Sequence, residues 1–356
     1  MKRHLSLIVL AIAASTFSAC MPTKANVIRQ ISAQEPPAQS VNTQVQGQEA
    51  DKLFPILLHG KSGYIDQHGK IITQPIFDGA GDFSEGMAAI KLGKKWGFID
   101  QTGTIVIQPK FDRVFEFSEG LAAVYIGGDA GFGGKAGFID KTGKVTIPLK
   151  FDDAYGFSER LAEVRIGKKW GYIDSSGNIV IQPQFNNAGS FCKEGLAVVS
   201  LAKKDGYIDR TGKFVIPPKF DQGSKFCEGL GMVKLNGKWG YIDKTGTLVI
   251  QPQFNDAMQF VDGLAAVQIG EKWGYIDVSG KVVIQPQFEQ TQHFIEGLAF
   301  VQINNKWGYI DKTGKIAIQA KFDSAGSFSG GLAPVSSNEK YGYINKNGDY
   351  IWAPTN

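Results

Sequence analysis

The sequence predicts an all-β protein built from tandem repeats of about 34 residues. The chain contains 44 glycines but only 14 prolines, and 12% of its residues are aromatic. A motif of Lys, Trp, Gly, an aromatic residue, Ile and Asp returns along most of its length. Between the copies lie short segments of alternating apolar and polar residues, separated by turn-forming pairs. This combination is typical of many short strands joined by tight turns.

The glycine of this motif defines the period of the repeat. Full copies occupy 95–100, 169–174, 238–243, 272–277 and 306–311, and degenerate copies occupy 61–66, 135–140, 204–209 and 340–345. Successive glycines are 34 residues apart, except for 40 before Gly137 and 35 before Gly206. Self-similarity at a fixed period indicates a repeat architecture, here with nine units.

The motif resembles the WG repeat family, which is named for its Trp-Gly dipeptide. The resemblance extends over residues 53–356. It implies a bacterial, often exported, tandem β-repeat protein whose biochemical role is mostly unassigned. The resemblance supplies no catalytic residues to transfer.

Each unit carries three strand patterns. The first is an alternating segment such as 264–269, the second is the Trp-Gly segment, and the third is a segment such as 281–286. Pro286 ends the third because proline cannot donate to a ladder. Between the second and third strands, 243–246 reads Asp-Lys-Thr-Gly, which is typical of a type I turn. The sequence therefore predicts nine three-stranded meanders.

Two phenylalanines six residues apart follow the third strand of nearly every unit, and we expect them to bury the units against each other. The pairs are Phe77/Phe83, Phe111/Phe117, Phe151/Phe157, Phe185/Phe191, Phe220/Phe226, Phe254/Phe260, Phe288/Phe294 and Phe322/Phe328.

The phase of the chain ends bears on the shape of the array. The repeats start with a first strand and stop after a third, whereas propellers usually close by sharing a blade between the two termini. We therefore expect an open superhelical or solenoid-like array, with a closed propeller-like ring as the alternative.

The N-terminus predicts export and lipid anchoring. Lys2 and Arg3 precede an apolar segment, 5–14, that is too short to span a bilayer. The end of this segment resembles a bacterial lipobox at Ser18-Ala19-Cys20, with Phe17 where the family usually has Leu. We expect residues 1–19 to be a signal peptide, Cys20 to be lipidated, 20–52 to be a disordered tether and 53–356 to be the repeat domain. Met21 favours the outer membrane, since Asp there would favour inner-membrane retention.

Composition argues against several functions. The net charge is +4 without a basic cluster, which speaks against nucleic acid as a partner. The four histidines are far apart in sequence, so no metal site is expected, and no cofactor motif occurs. Lys-Thr-Gly triplets and a Ser-x-x-Lys match motifs of penicillin-binding proteins, but Ser-Asp-Asn is absent. The recurring aspartates fit turn caps, so we expect no enzyme activity.

The tryptophans of the motif are the candidate binding residues. Trp96, Trp170, Trp239, Trp273 and Trp307 share one position, with Tyr341 at the last copy. Asp205 also occupies it, which indicates partial exposure; the alternatives are packing and a row of aromatic platforms for sugars or side chains. Phe132, alone and apolar among glycines in the one long insertion, is a further candidate.

Cys192 and Cys227 occupy equivalent positions in adjacent units. In an exported protein this suggests a disulfide, and two separate buried thiols are the alternative. A tightly wound array would allow the bridge, whereas a ring would hold the two positions too far apart.

These expectations combine into a functional hypothesis. The protein is expected to be a lipid-anchored envelope protein that acts as a non-catalytic scaffold for another macromolecule. The alternatives are a polysaccharide or peptidoglycan-binding module and, less favoured, a hydrolase.

Overall fold

The computed structural model describes residues 52–128 and 134–353. The predicted signal peptide, Cys20 and all of the predicted tether except Lys52 lie outside the described residues. So does Phe132, which belongs to the segment 129–133. In the described ranges, no helix is long and apolar enough to cross a membrane.

The described chain forms nine small antiparallel sheets that follow one another in sequence, and each is one blade. Blade 1 contains β1 (Phe54–Leu58), β2 (Lys61–Ile65) and β3 (Ile71–Phe77); blade 2 contains β4 (Gly79–Ser84), β5 (Met87–Leu92), β6 (Lys95–Asp100) and β7 (Ile105–Phe111); blade 3 contains β8 (Arg113–Val114), β9 (Leu121–Ile126), β10 (Lys135–Asp140) and β11 (Val145–Phe151). Blade 4 contains β12 (Asp153–Ala154), β13 (Ala162–Ile166), β14 (Lys169–Ile173) and β15 (Ile179–Phe185); blade 5 contains β16 (Asn187–Ala188), β17 (Ala197–Leu201), β18 (Lys204–Ile208) and β19 (Phe214–Phe220); blade 6 contains β20 (Gln222–Cys227), β21 (Leu230–Leu235), β22 (Lys238–Ile242) and β23 (Leu248–Phe254). Blade 7 contains β24 (Asp256–Ala257), β25 (Leu264–Ile269), β26 (Lys272–Asp277) and β27 (Val282–Phe288); blade 8 contains β28 (Gln290–Thr291), β29 (Leu298–Ile303), β30 (Lys306–Asp311) and β31 (Ile316–Phe322); blade 9 contains β32 (Ser324–Ala325), β33 (Ala333–Ser337), β34 (Lys340–Ile344) and β35 (Tyr350–Trp352).

The all-β class and the repeat are confirmed, but the predicted three-stranded unit is wrong for eight of the nine blades. These blades have four strands in the order A, B, C, D, and only blade 1 has three, which correspond to B, C and D. The extra strand A begins in the segment between the paired phenylalanines, such as β8 between Phe111 and Phe117. Strand A is mostly two residues long, which is too short for an alternating pattern to reveal.

The blades form a closed ring, so the preferred expectation of an open array is wrong and the alternative is confirmed. Blade 1 packs on blade 9: the Tyr343 hydroxyl donates to the Pro55 carbonyl at 2.7 Å, and the Phe54 and Tyr343 rings lie 5.5 Å apart. Lys52 Nζ also bonds Ser329 Oγ. Closure by side-chain packing requires no shared strand, which is why the phase of the chain ends did not reveal it.

The contact between blades 1 and 9 resembles the contact between the other neighbouring blades. Strand C of one blade presents an aromatic ring to the second Phe of the pair, on or just after strand A of the next, with ring centres 4.7–5.2 Å apart. Where the C-strand residue is Tyr, its hydroxyl also bonds a backbone carbonyl of the next blade. These pairs are Tyr64 with Gly81, Tyr172 with Gly189, Tyr207 with Ser224, Tyr241 with Met258, Tyr275 with Gln292 and Tyr309 with Gly326.

Blade 1 makes this contact without a strand A in the described residues. Phe54 lies where strand B of the other blades has Ala or Gly, such as Ala88 or Gly231. At those small residues the paired Phe of strand A packs; Phe226, for example, lies over Gly231. Phe54 therefore supplies from strand B the ring that strand A supplies elsewhere.

The antiparallel order of the strands gives the ring two distinct faces. The B–C turns and the connections from D to the next A lie on one, which we call the B–C face. The A–B loops and C–D turns lie on the other, which we call the C–D face. Strand D is the last strand of each sheet and exposes residues such as Val180 and Val249, so it forms the outer rim.

Candidate binding surface

The Trp position lies at the B–C face, because each tryptophan is the second residue of strand C, directly after the B–C turn. In blades 2 to 8 this position belongs to a row of paired residues that crosses the sheet from strand A to strand D. In blade 2 the row runs from Gly79 on strand A through Lys91 on B and Trp96 on C to Phe111 on D. The Trp96 indole approaches Gly79, where an added Cβ would lie 3.5 Å from its ring.

The exposure of the Trp position differs between blades. Trp170 and Trp273 are buried, with 7% and 9% of their surface exposed, whereas Tyr341 is 52% exposed. Trp96, Trp239 and Trp307 are half-buried. The tryptophans thus do not form a uniformly exposed row.

Neighbouring side chains cover several of the rings. Lys91, Arg165 and Lys234 place their cationic groups 5.7, 5.9 and 5.5 Å from the ring centres of Trp96, Trp170 and Trp239. Tyr155 stacks on Trp170 at 5.5 Å, and Phe300 packs at 5.2 Å from Trp307. These contacts cover part of each of these four rings.

Asp205 is accommodated at the Trp position by hydrogen bonds. One of its carboxylate oxygens accepts the Ser200 hydroxyl at 2.5 Å, and the other accepts the Gly223 N–H of the next blade at 2.8 Å. The position therefore faces the gap between blades, and a polar residue fits there because it finds a backbone donor. Asp205 does not require the position to be open to solvent.

In seven of the nine blades, the lysine that precedes the Trp position pairs with an acidic or amide residue on the connection between blades. Examples are Lys61 with Asp78 at 2.5 Å and Lys135 with Asp152 at 2.6 Å. The second carboxylate oxygen of Asp78 accepts the N–H of Gly93 in the B–C turn. The Lys61 hydrogen bond holds the pKa of Asp78 below its usual range. Each such carboxylate therefore orders one turn of the B–C face.

Exposed aliphatic side chains surround these ion pairs. They end strand B of four blades, next to the B–C turns, and are Ile126, Ile166, Leu201 and Ile269, with exposed fractions of 48%, 42%, 37% and 42%. The B–C face thus combines apolar side chains, aromatic edges and ion pairs.

The recurring aspartates lie on the C–D face and act as turn caps. Asp100 Oδ1 accepts the N–H groups of Thr102 and Thr104 and the Thr102 hydroxyl. The Thr102 hydroxyl bond is the main reason that the pKa of Asp100 lies below its usual range. A carboxylate in this environment is an ionised acceptor and not a proton donor.

The A–B loops of the C–D face carry a second set of acidic residues, which link neighbouring blades. Glu85 accepts the N–H groups of Glu119 and Gly120 in the next loop at 2.7 and 3.0 Å, and Glu228 bonds Asp262 and Gly263 in the same way. These carboxylates accept hydrogen bonds that join one blade to the next.

Glu163 is a buried carboxyl at a position that is apolar in the other blades. Its side chain is 3% exposed, and Oε1 accepts the Ser190 hydroxyl of the next blade at 2.7 Å. Oε2 has no hydrogen-bond partner among the described residues. Burial without a cation raises the pKa of Glu163 from 4.5 to about 7. The equivalent residues are Pro55, Ala89, Ala123, Val198, Met232, Ala266, Phe300 and Pro334.

Glu163→Gln is expected to remove a pH-dependent loss of stability. Because the pKa is raised in the folded state, the protonated form is favoured there, and stability falls as the pH rises from about 4.5 through about 7. A rise of that size corresponds to about 3 kcal/mol. Urea unfolding at pH 4 and pH 8 should show that the variant gains about this amount relative to the native chain only at pH 8. An equal difference at both pH values would contradict the assignment.

The structure does not join Cys192 and Cys227 by the expected disulfide. The Cys192 thiol lies 3.2 Å from the Leu196 carbonyl in its own blade, and Cys227 Sγ lies 3.8 Å from Gln259 of the following blade. Cys192 and Cys227 occupy equivalent positions in neighbouring blades, but each thiol contacts a different partner. Equivalent positions in the repeat therefore do not bring the two sulfur atoms together.

Comparison with protein families decides the identity of the repeat. Eight stretches match the family described as WG containing repeat, at 63–96, 96–128, 137–170, 170–204, 206–239, 239–273, 273–307 and 307–341. The chain belongs to the WG repeat family. No match was found among curated proteins.

Solved structures show the fold that the WG repeats adopt here. A eukaryotic initiation factor superposes with a TM-score of 0.62 at 11% identity, covering 84% of this chain and 95% of that one. PorZ, a surface component of the type-IX secretion system of Porphyromonas gingivalis, gives 0.34 at 11% identity, covering 86% and 51%. The extracellular domain of a one-component system of B. thetaiotaomicron gives 0.38 at 12% identity, covering 85% and 53%. Only the first comparison bears on the fold.

The glycine of the WG dipeptide is required by a bulge in strand D. Trp273 pairs with Phe288 and Tyr275 with Ile284, so the two strands advance by different numbers of residues between these pairs. A Cβ added at Gly274 would lie 2.4 Å from the Ile284 carbonyl oxygen. The same close approach to the backbone of strand D recurs at Gly63, Gly97, Gly137, Gly171, Gly206, Gly240 and Gly308. Glycine is therefore needed at these positions of the WG repeat because a side chain would collide with the bulged strand.

The burial of the WG tryptophans predicts unequal effects of their removal. Trp273→Ala is expected to cost about 3 kcal/mol of unfolding free energy, because the indole is 9% exposed. Trp239→Ala should cost less than half as much, because that ring is half-buried. Guanidinium unfolding of the two variants measures both values, and equal losses would contradict the graded exposure.

Sequence reasoning missed two features of the WG domain. By their place in the alternating pattern, the aliphatic residues at the ends of strand B are expected to be buried. In the ring, however, Ile126 and Ile166 are exposed. Arg113 and Tyr125 replace the usual residues of their row in blade 3. An alignment of the units would have marked these two positions as exceptions.

Proposed function

We propose that this WG repeat protein is an exported, lipid-anchored and non-catalytic binding module whose B–C face docks a protein partner in the cell envelope. The exposed aliphatic residues of the B–C face carry the proposal. Isolated exposed apolar residues are ordinary, but side chains that recur at one level of a ring, beside aromatic edges, form a surface suited to a partner.

The carboxylates support binding over catalysis. Asp100 is a turn cap with a lowered pKa, as are the equivalent Asp140, Asp174, Asp209, Asp243, Asp277 and Asp311, whereas a general acid needs a raised pKa. Glu163 has a raised pKa, but it is buried between blades and out of reach of a substrate. Across residues 52–128 and 134–353, no three His, Cys, Asp or Glu side chains are grouped to hold a metal ion.

The location follows from the N-terminal pattern. Residues 1–20 have the charged start, short apolar segment and terminal Cys20 of a lipoprotein signal. Acyl chains on Cys20 would hold the protein at a membrane, with the outer membrane or its periplasmic face as the expected site. Residues 21–52 would connect this anchor to the repeat domain.

A polysaccharide ligand is the second candidate. It is favoured by the half-buried Trp239 and Trp307 and the exposed Tyr341, whose rings recur at one level of the B–C face. However, Lys234 and Phe300 cover two of these rings, which leaves little flat aromatic area for a sugar.

Site-specific photo-crosslinking of the full chain in bacterial envelopes tests the proposal. A photoreactive residue is placed singly at Ile166, Leu201 or Ile269 on the B–C face, with Val180 and Val249 on the rim as matched exposed controls. We expect the same protein adduct from the three B–C positions and none from the rim.

Two results would count against this function. Equal adducts from the rim, or none from the B–C face, would contradict a protein-docking surface. Sedimentation with purified peptidoglycan sacculi that is lost in Trp239→Ala and Trp307→Ala would support the polysaccharide alternative instead.

A further inference from the structure

Blades 3 and 4 depart from the repeat at several positions that meet at the B–C face. Strand A begins with Arg113 in blade 3, where the equivalent residues of the other blades carry no cation. Two residues later, blades 3 and 4 have the aromatic residues Phe115 and Tyr155. In the other four-stranded blades this position holds Gly81, Gly189, Ser224, Met258, Gln292 or Gly326.

The departure extends to the neighbouring blades in a coordinated way. On strand C of the preceding blades, Phe98 and Phe138 replace the Tyr of the inter-blade contact. Because Phe has no hydroxyl, it makes no hydrogen bond to the backbone of blade 3 or blade 4. In blade 3 the Trp position holds Ala136, and Tyr125 on strand B is paired with it in the same row. These changes create one cluster of aromatic and charged side chains.

Arg113 lies at the centre of this cluster. Its guanidinium carbon is 4.2 Å from the ring centre of Tyr125 and 4.7 Å from that of Phe115. Nη2 donates to the Tyr125 hydroxyl at 3.1 Å and to Asp153 Oδ1 at 3.3 Å. Its side chain is 31% exposed. Arg113 is thus held in position by aromatic faces and one carboxylate while it still reaches solvent.

A second guanidinium shares the same carboxylate. Arg165 Nη2 lies 3.7 Å from Asp153 Oδ2, and its side chain is 32% exposed. The Tyr125 hydroxyl also lies 2.5 Å from Asp153 Oδ1. The nearby Lys135–Asp152 pair is neutral, so two guanidiniums against one carboxylate leave an excess positive charge.

The unused donors of Arg113 match a further carboxylate. Nε and Nη1 make no hydrogen bond to any described residue, and each can donate a charge-assisted hydrogen bond to a carboxylate oxygen. Asp153 occupies only Nη2. A second anion can therefore bind without displacing the first.

We propose that Arg113, held by Tyr125, Phe115 and Asp153, anchors a carboxylate of an acidic and apolar polypeptide segment of the partner. Ile126 and Ile166, exposed by 48% and 42%, end strand B of blades 3 and 4 and flank the charged centre. Apolar side chains next to the carboxylate would cover them. Arg, Tyr and Trp around a partly desolvated centre match the composition of interface hot spots.

The aromatic rings favour a polypeptide over an acidic sugar. Tyr125 and Trp170 are 3% and 7% exposed, and Trp170 is already stacked against Tyr155. No open ring face remains for a sugar, whereas the flanking isoleucines would be left uncovered by one. The inference rests on the proposed function and identifies the part of the B–C face that gives specificity.

Fluorescence anisotropy of the full chain with a labelled peptide tests the anchor. The probe is the nonapeptide with three Glu-Leu-Gly repeats, and its counterpart with Gln in place of Glu is the control ligand. At low ionic strength we expect saturable binding of the Glu peptide that falls about tenfold in Arg113→Gln and Arg113→Lys. Gln carries no charge, and Lys lacks the planar guanidinium that the Tyr125 and Phe115 rings hold in position. Lys234→Gln, which removes a cation over the Trp of blade 6, is the matched control and should bind within about twofold of the native chain.

A second variant separates binding from folding. Ile126→Ser with Ile166→Ser changes exposed side chains and should also weaken the Glu peptide while leaving thermal unfolding unchanged. No saturable binding to the native chain, equal binding by the Gln peptide, or an equal loss in Lys234→Gln would overturn the inference. Tighter binding of an oligogalacturonate with the same dependence on Arg113 would overturn the polypeptide assignment. If B–C face crosslinking succeeds while Arg113 variants bind normally, the proposed function stands and this inference fails.

Discussion

Phe54→Ala is expected to cost about 3–5 kcal/mol of unfolding free energy, the range for removing a buried phenylalanine. Phe54 is 4% exposed and packs on Tyr343 across the junction of blades 1 and 9. No strand A of blade 1 is present among the described residues to supply a second ring at this junction. The loss should therefore reflect both a cavity and a weakened closure.

Chemical denaturation monitored by tryptophan fluorescence measures this loss. Leu57→Ala, on the same strand but 49% exposed, is the matched control and should change stability by less than about 0.5 kcal/mol. A Phe54 variant as stable as the Leu57 variant would show that this junction contributes nothing and would contradict a closed ring.

Gly274→Ala is expected to destabilise the domain by about 4 kcal/mol or to prevent folding. The added Cβ would lie 2.4 Å from the Ile284 carbonyl and 2.8 Å from the Pro286 nitrogen. Both are backbone atoms of the bulged strand D, so they cannot move aside as a flexible side chain would.

Gly81→Ala is the matched control for this substitution. A Cβ at Gly81 would meet Ala89 at 3.7 Å, which is ordinary van der Waals contact. Thermal unfolding of the two variants should therefore differ strongly. Equal melting temperatures would mean that strand D has no bulge against the motif glycine.

The strands that carry alternating patterns could be predicted from the sequence, whereas strand A and the closure could not. Strand A is mostly two residues long, for example Asp153–Ala154, and its role depends on pairing with strand B. The closure depends on Phe54 and Pro55 taking the place of strand A residues. Such a replacement is visible only when the two ends of the chain are placed side by side.

The candidate site was predictable in part. The sequence places Trp239 and Trp307 at one position, but the extent to which Lys234 or Phe300 covers their rings depends on pairing across strands. The suggestion that Asp205 signals an exposed position did not anticipate the Gly223 N–H of the next blade. Contacts between blades decide exposure, and they follow from the ring and not from the repeat.

An engineered disulfide between Lys52→Cys and Gly330→Cys tests the closed ring most directly. A Cβ at Gly330 would lie 3.4 Å from the Lys52 Cβ, close to the separation in disulfides, and equivalent positions such as Glu85 and Glu296 hold side chains at similar positive φ. In a chain with the native cysteines replaced by serine, non-reducing mass spectrometry of a protease digest should show the linked peptides. The pair Lys52→Cys and Glu296→Cys, one blade further away, should stay reduced. Two free thiols at Lys52→Cys and Gly330→Cys after oxidation would contradict the ring and favour an open array.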